Sequence, residues 1–182
     1  MKIIYQFIFF RLMGWRITGF MDPSVKKSVI IVVPHTSWVD FITGVMVRGS
    51  IGLPIHFVAK KELFRFPFGG YFRWMGGAPL DRQKSDNKVD AIAAIFKDRE
   101  IFRLAIAPEG TRKKVDRWKT GFYYIALKAD VPVIAVAFNY GNKEVKVAQP
   151  YHLTGDIETD FAILTANYTG IEGYIKKYSY TN

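Results

Sequence analysis

Two uninterrupted apolar runs constrain this chain more than anything else in it. Val29–Val33 is entirely β-branched, and Val131–Phe138 carries no polar side chain. Runs this short and this apolar suit strands covered on both faces, as in a parallel sheet, since a strand with a wet face alternates apolar and polar residues. Three more segments read as strands: His56–Ala59, Arg103–Ala107 and Glu144–Ala148. Helical periodicity falls between them at Trp38–Val47, Asn87–Arg99 and Gly121–Ala129, with a less regular pattern over Thr159–Lys177. Strands alternating with helices predict a single α/β domain, its largely parallel sheet flanked by helices. Gly and Pro at Pro67–Gly70 and Gly76–Pro79 read as turns, and no repeat or linker divides the chain. Ligands of such sheets sit beyond the carboxyl ends of the strands, so the residues following each strand are the ones to inspect.

Residues 3–21 are the most apolar stretch, but Arg11 and Arg16 interrupt it and no small-x-small cleavage site follows. A membrane span needs about 20 nearly uncharged residues, and a secretory signal needs the cleavage site. On a helical wheel Lys2, Gln6 and Arg16 share one sector, with Ile3, Ile4, Phe7, Ile8 and Phe10 around the rest. The pattern predicts a helix lying in a lipid interface. The chain then divides into an interfacial segment, 1–21, and a domain, 22–182. An N-terminal helix that packs on the core is the alternative.

Charge and cysteine content narrow the chemistry. The net charge is +10 and aromatic residues make up 16% of the chain, which together favour an anionic partner. No cysteine is present, which removes disulfides, thiolate metal sites and cysteine nucleophiles. His35, His56 and His152 are too scattered for a helical metal pair, so no metal site is expected. Nucleic-acid binding ranks last, because no helix-turn-helix, zinc-finger or aromatic RNA-binding strand pattern occurs.

Three segments carry chemistry. After the first apolar strand comes Pro34-His35-Thr36-Ser37-Trp38-Val39-Asp40. Ser37 and Asp40 form a Ser-x-x-Asp capping arrangement. His35 just ahead of the helix can meet the Asp40 carboxylate, which fixes its tautomer and leaves the other nitrogen as a base. A capping Asp40 beside a merely polar His35 is the plainer alternative. After Arg103–Ala107 comes Pro108-Glu109-Gly110-Thr111-Arg112, a Gly turn beside a guanidinium suited to phosphate. The third segment, Gly76–Arg82, ends in another arginine. The cations upstream of it, Lys60, Lys61, Arg65 and Arg73, form either a phosphate funnel or a solvated face.

In this order, the segments resemble the 1-acyl-glycerol-3-phosphate acyltransferase family. The resemblance rests on His35 to Asp40, Gly76 to Arg82, Pro108 to Arg112 and the Val131–Phe138 strand, with Lys119 and Gly121 matching a Lys-x-Gly element. Pro34 stands where the family commonly has Asn, and Ala107 where it has Phe. The resemblance implies acyl transfer from acyl-CoA or acyl carrier protein to a lysophospholipid hydroxyl, with that thioester as co-substrate and no other cofactor. It implies His35 as general base, oriented by Asp40, with Arg82, Arg112 and Lys119 holding the acceptor phosphate. Glu109, Gly110 and Thr111 would shape that pocket, Glu109 bonding the glycerol or an arginine. The enzyme would work at the cytoplasmic face of a membrane, as a peripheral or monotopic protein. A basic lipid-binding protein without activity is the competing class.

Overall fold

The apolar runs expected to be covered on both faces occupy the middle of the sheet. The computed structural model describes residues 1–80 and 88–180. Strand β2 (Lys27–Val33) lies between β5 (Phe102–Ile106) and β6 (Val133–Asn139) and runs parallel to both. Beyond β6, β7 (Glu144–Val147) is antiparallel, and β1 (Arg16–Thr18) closes that edge parallel to β7. The expected α/β architecture with a mainly parallel sheet is the one found.

Side chains of the central strands alternate between two cores. Val29, Ile31, Val33, Val133, Ala135 and Ala137 face helices α4 (Lys88–Asp98), α5 (Gly121–Ala129) and α6 (Ile157–Ala166). Ile30, Ile134, Val136 and Phe138 face the N-terminal segment and α2 (Val39–Ile51). Each Val, Ile or Phe among them contributes about 1.5–3 kcal/mol on burial, which accounts for the absence of polar residues in these runs.

Four expectations are corrected. The N-terminal helix stops at Leu12: α1 (Lys2–Gln6) continues as a wider π turn over Phe7–Leu12, and Gly14, at φ 70°, turns the chain into β1. The open edge of β7 provides the hydrogen bonds that a longer helix would have forgone. Phe9 and Trp15 stack with ring centroids 5.6 Å apart and are buried in the second core, so this segment packs on the sheet as well as facing outward. The glycines at 76–77, read as a turn, open strand β4 (Gly77–Leu80), which pairs with β3 (Phe57–Lys60) in a separate two-stranded sheet. A Cβ on Gly77 would lie 2.8 Å from Phe64, so glycine there reflects close packing. His56 joins the two sheets through a parallel bridge to Leu104. Finally, α6 ends at Ala166, and the chain beyond it is mostly irregular. No helix among the described residues is long and apolar enough to cross a membrane.

Candidate active site

Parallel pairing of β2 with β5 delivers two sequence segments to one edge of the sheet. The loop leaving β2 carries His35 and turns at once into α2, whose first turn holds Asp40. Asp40 is buried, and its Oδ2 accepts the backbone N–H groups of Thr36 at 2.6 Å and Ser37 at 2.8 Å. The same oxygen faces His35 Nδ1 at 3.3 Å. Ser37 Oγ accepts the Val39 N–H at 3.2 Å. Burial would push the Asp40 carboxyl up, but hydrogen bonding from His35 and from the Ser37 and Thr36 amides holds it below the ordinary carboxylate range. Asp40 is therefore an anion at neutral pH. With Nδ1 engaged and the imidazole 27% exposed, Nε2 is the nitrogen left for chemistry.

The turn leaving β5 reaches the same loop from behind. Glu109 is buried, and its Oε2 accepts the backbone N–H of His35 at 2.6 Å. Glu109 therefore fixes the main chain carrying the imidazole, a role the sequence did not indicate. Burial, reinforced by the Asp40 charge, raises the Glu109 carboxyl to about 7 against the opposing effect of His35. Gly110 adopts φ 64°, and a Cβ there would come within 2.7 Å of the Lys119 side chain, which lies along the turn. Lys119 donates its backbone N–H to Pro108 at 2.8 Å. Thr111 caps the following turn through Lys113 N–H, and Arg112 is exposed, with no carboxylate partner among the described residues.

The structure thus links His35, Asp40, Glu109, Gly110 and Lys119, and Thr111 and Arg112 follow in the exposed part of the same turn. Arg82 lies outside the described residues.

An apolar cavity of about 260 Å³ opens beside His35 and Asp40, walled by Phe41, Val45, Phe57 and Met75. It shares Val32, Gly44, Ile55, Ala105 and Phe138 with a second cavity of about 400 Å³ that reaches the N-terminal segment. Several lining groups escaped the sequence reading. Arg48 lines the first cavity on the same face of α2 as Asp40 and Gly44, a stripe visible only as i, i+4 spacing. His56 lines it too, its imidazole pulled down to about 4 by burial and by the charges of Arg99 and Arg48, so it is neutral. The Tyr140 hydroxyl bonds Thr43 at 2.9 Å. Thr36 Oγ1 accepts the Ile175 N–H at 3.1 Å, so the irregular C-terminal segment braces the histidine loop.

Comparison with known proteins identifies relatives of this chain. The acyltransferase family model matches residues 16–139. The 1-acyl-sn-glycerol-3-phosphate acyltransferase of Bacillus subtilis (strain 168) is 30% identical over 152 residues, covering 76% of this chain and 71% of that protein. The enzyme of the same name from Salmonella typhimurium is 29% identical over 133 residues, 69% of this chain and 53% of its own. Among solved structures, the 1-acyl-sn-glycerophosphate (LPA) acyltransferase PlsC from Thermotoga maritima superposes with a TM-score of 0.58 at 19% identity. It covers 86% of this chain, and 71% of the Thermotoga chain is matched.

Proposed function

The chain belongs to the acyltransferase family, and from that premise we propose that it acylates the free hydroxyl of a lysophospholipid. The acceptor is 1-acyl-glycerol-3-phosphate, the product phosphatidic acid, and the donor an acyl thioester of CoA or acyl carrier protein. The observation that carries this reading is the His35–Asp40 pair at the mouth of an apolar cavity. His35 Nε2 takes the proton of the acceptor hydroxyl as its oxygen attacks the thioester carbonyl. The imidazolium so formed faces the Asp40 anion and returns the proton to the departing sulfur as the tetrahedral intermediate collapses. Ester and free thiol leave, and the base is regenerated. Arg112, Lys119 and Arg82 hold the acceptor phosphate, while the acyl chain occupies the apolar cavity. The thioester is consumed as co-substrate, and the scheme requires no metal or prosthetic group.

The bilayer is the proposed workplace. Ile3, Ile4, Phe7 and Leu12 present apolar side chains to the outside, and the first 21 residues contain no acidic group. Such a segment lies in an interface with its cations at headgroup level, and the cytoplasmic face is where either donor would be met.

A lysolipid panel offered with each donor tests the proposal. We expect phosphatidic acid from lysophosphatidic acid in the wild type. His35→Ala should lower kcat about 10²–10⁴-fold. Ser37→Ala should retain turnover, because the Ser37 hydroxyl is engaged in accepting the Val39 N–H at the start of α2. Loss of activity in Ser37→Ala alone would replace the scheme with a serine nucleophile.

A further inference from the structure

We propose that the segment Phe64–Trp74 is a second membrane-inserting element, forming one docking surface for anionic bilayers together with the N-terminal helical segment. It deepens the membrane part of the functional reading and rests on it.

The segment displays apolar rings that have no place in either core. Phe66 is 98% exposed, Phe68 65%, Tyr71 55% and Trp74 56%. Soluble surfaces rarely gather large apolar groups so densely. The display is held from within. Phe64 is buried, Phe72 meets it edge-on at 6.1 Å, and the Arg73 guanidinium lies over its ring at 5.8 Å. Gly69 permits the tight reversal: a Cβ there would fall 2.0 Å from the Phe64 carbonyl oxygen. The Gly69 N–H closes the turn onto Arg65 at 2.8 Å. Phe66 and Phe68 sit in this braced turn, on either side of Pro67.

Charge complementarity selects the occupant. Residues 64–75 contain Arg65 and Arg73, both exposed, and no acidic group. The N-terminal helical segment contributes exposed Lys2 and Arg11, again without an acid. Aromatic rings interleaved with cations match the headgroup level of an anionic membrane, where rings enter the acyl boundary and guanidinium groups meet phosphates.

The two elements are neighbours. Met1, Lys2 and Tyr5 line a groove of about 380 Å³ together with Trp74, and Arg48 donates to the Trp74 carbonyl at 3.4 Å. The apolar surface continues to the catalytic cavity. Phe41, 40% exposed, meets Phe57 edge-on at 5.5 Å, and both line that cavity with Met75. A single membrane signal gives marginal, reversible binding, and a second hydrophobic element makes it stable. Docked this way, the cavity mouth faces the layer from which a lysolipid arrives.

Co-sedimentation with vesicles tests the surface directly. The vesicles are phosphatidylglycerol–phosphatidylcholine mixtures, with pure phosphatidylcholine as the uncharged control. The full chain is compared with Phe66→Ser/Phe68→Ser and with Arg65→Gln/Arg73→Gln. The aromatic pair should lower partitioning onto anionic vesicles about tenfold or more. It should leave thermal melting unchanged and turnover of a monomeric short-chain lysophosphatidic acid within about twofold. The arginine pair should lose binding chiefly on anionic vesicles, with a weaker salt dependence. Unchanged vesicle binding in the aromatic pair overturns the proposal. So does a wild-type dimer that this pair dissociates, or binding to an acidic carrier protein that it abolishes while vesicles are still held. If vesicle binding falls as expected but no lysolipid is acylated even by the wild type, the enzymatic reading fails and the docking surface stands.

Discussion

At His35 three separate restraints act on one side chain and its backbone: Asp40 at Nδ1, Glu109 on the main-chain N–H, and the Asp40-capped amides of Thr36 and Ser37. The His–Asp pairing was legible because five residues spanning a strand–helix turn place a carboxylate within reach of an imidazole. The part of Glu109 was not, because sequence carries no sign of which backbone amide a buried carboxylate will meet. Its environment has a measurable consequence. A carboxyl raised from 4.5 to about 7 on folding binds a proton more tightly in the native state. Its contribution to stability is therefore fully present below about pH 4.5 and is lost as pH rises through about 7. In urea titrations at successive pH values, the wild type should lose stability over that window relative to Glu109→Gln, which keeps an oxygen for the His35 amide. Parallel curves would show that Glu109 titrates normally. Arg112, exposed and without a carboxylate partner among the described residues, is one of the proposed acceptor ligands. Arg112→Ala should raise the acceptor KM about 10- to 100-fold, the worth of a charge-assisted phosphate contact, with kcat little changed. An unaltered KM would remove it from the phosphate site.

Elements were read best where one core decides them and worst where two demands compete. The β2 and β6 runs are apolar on both faces and could be nothing but central strands. The N-terminal stretch obeys a helical period as far as Leu12, then yields to the free edge of β7. Strand β4 was hidden by Gly76, Gly77 and Pro79, which usually punctuate turns but here fit a crowded edge against Phe64 and β3. Helix α6 contains a polar anchor that no periodicity could reveal. Asp160 is fully buried and accepts bonds from the Tyr123 and Tyr151 hydroxyls and from Thr154. Burial opposes its ionisation, yet these donors hold the carboxyl below the ordinary range. Asp160→Ala strands the buried Tyr123 hydroxyl and the half-buried Tyr151 hydroxyl and should cost about 3 kcal/mol in chemical denaturation. A cost below about 1 kcal/mol would mean water replaces the carboxylate.

For the molecule as a whole, topology converts distant motifs into one site. Residues 35 and 109 are far apart in sequence, but β2 and β5 are adjacent and parallel, so their carboxyl ends open together. That much follows from an alternating strand–helix pattern. The cavity behind His35 does not, because it is bounded by surfaces of α2, β3 and the strand preceding Glu109, and their relative depth depends on three-dimensional packing. Charge acts at the same scale: a net +10 directs the protein toward anionic surfaces, where its proposed acceptor resides. The most direct measurement follows thiol release from a long-chain acyl-CoA, and in parallel from the acyl carrier protein thioester. Wild type and His35→Ala are compared with and without lysophosphatidic acid. Release should require the acceptor, yield phosphatidic acid in equal amount and nearly disappear in His35→Ala. Equal release from the variant, or release indifferent to the acceptor, would overturn His35 as the base.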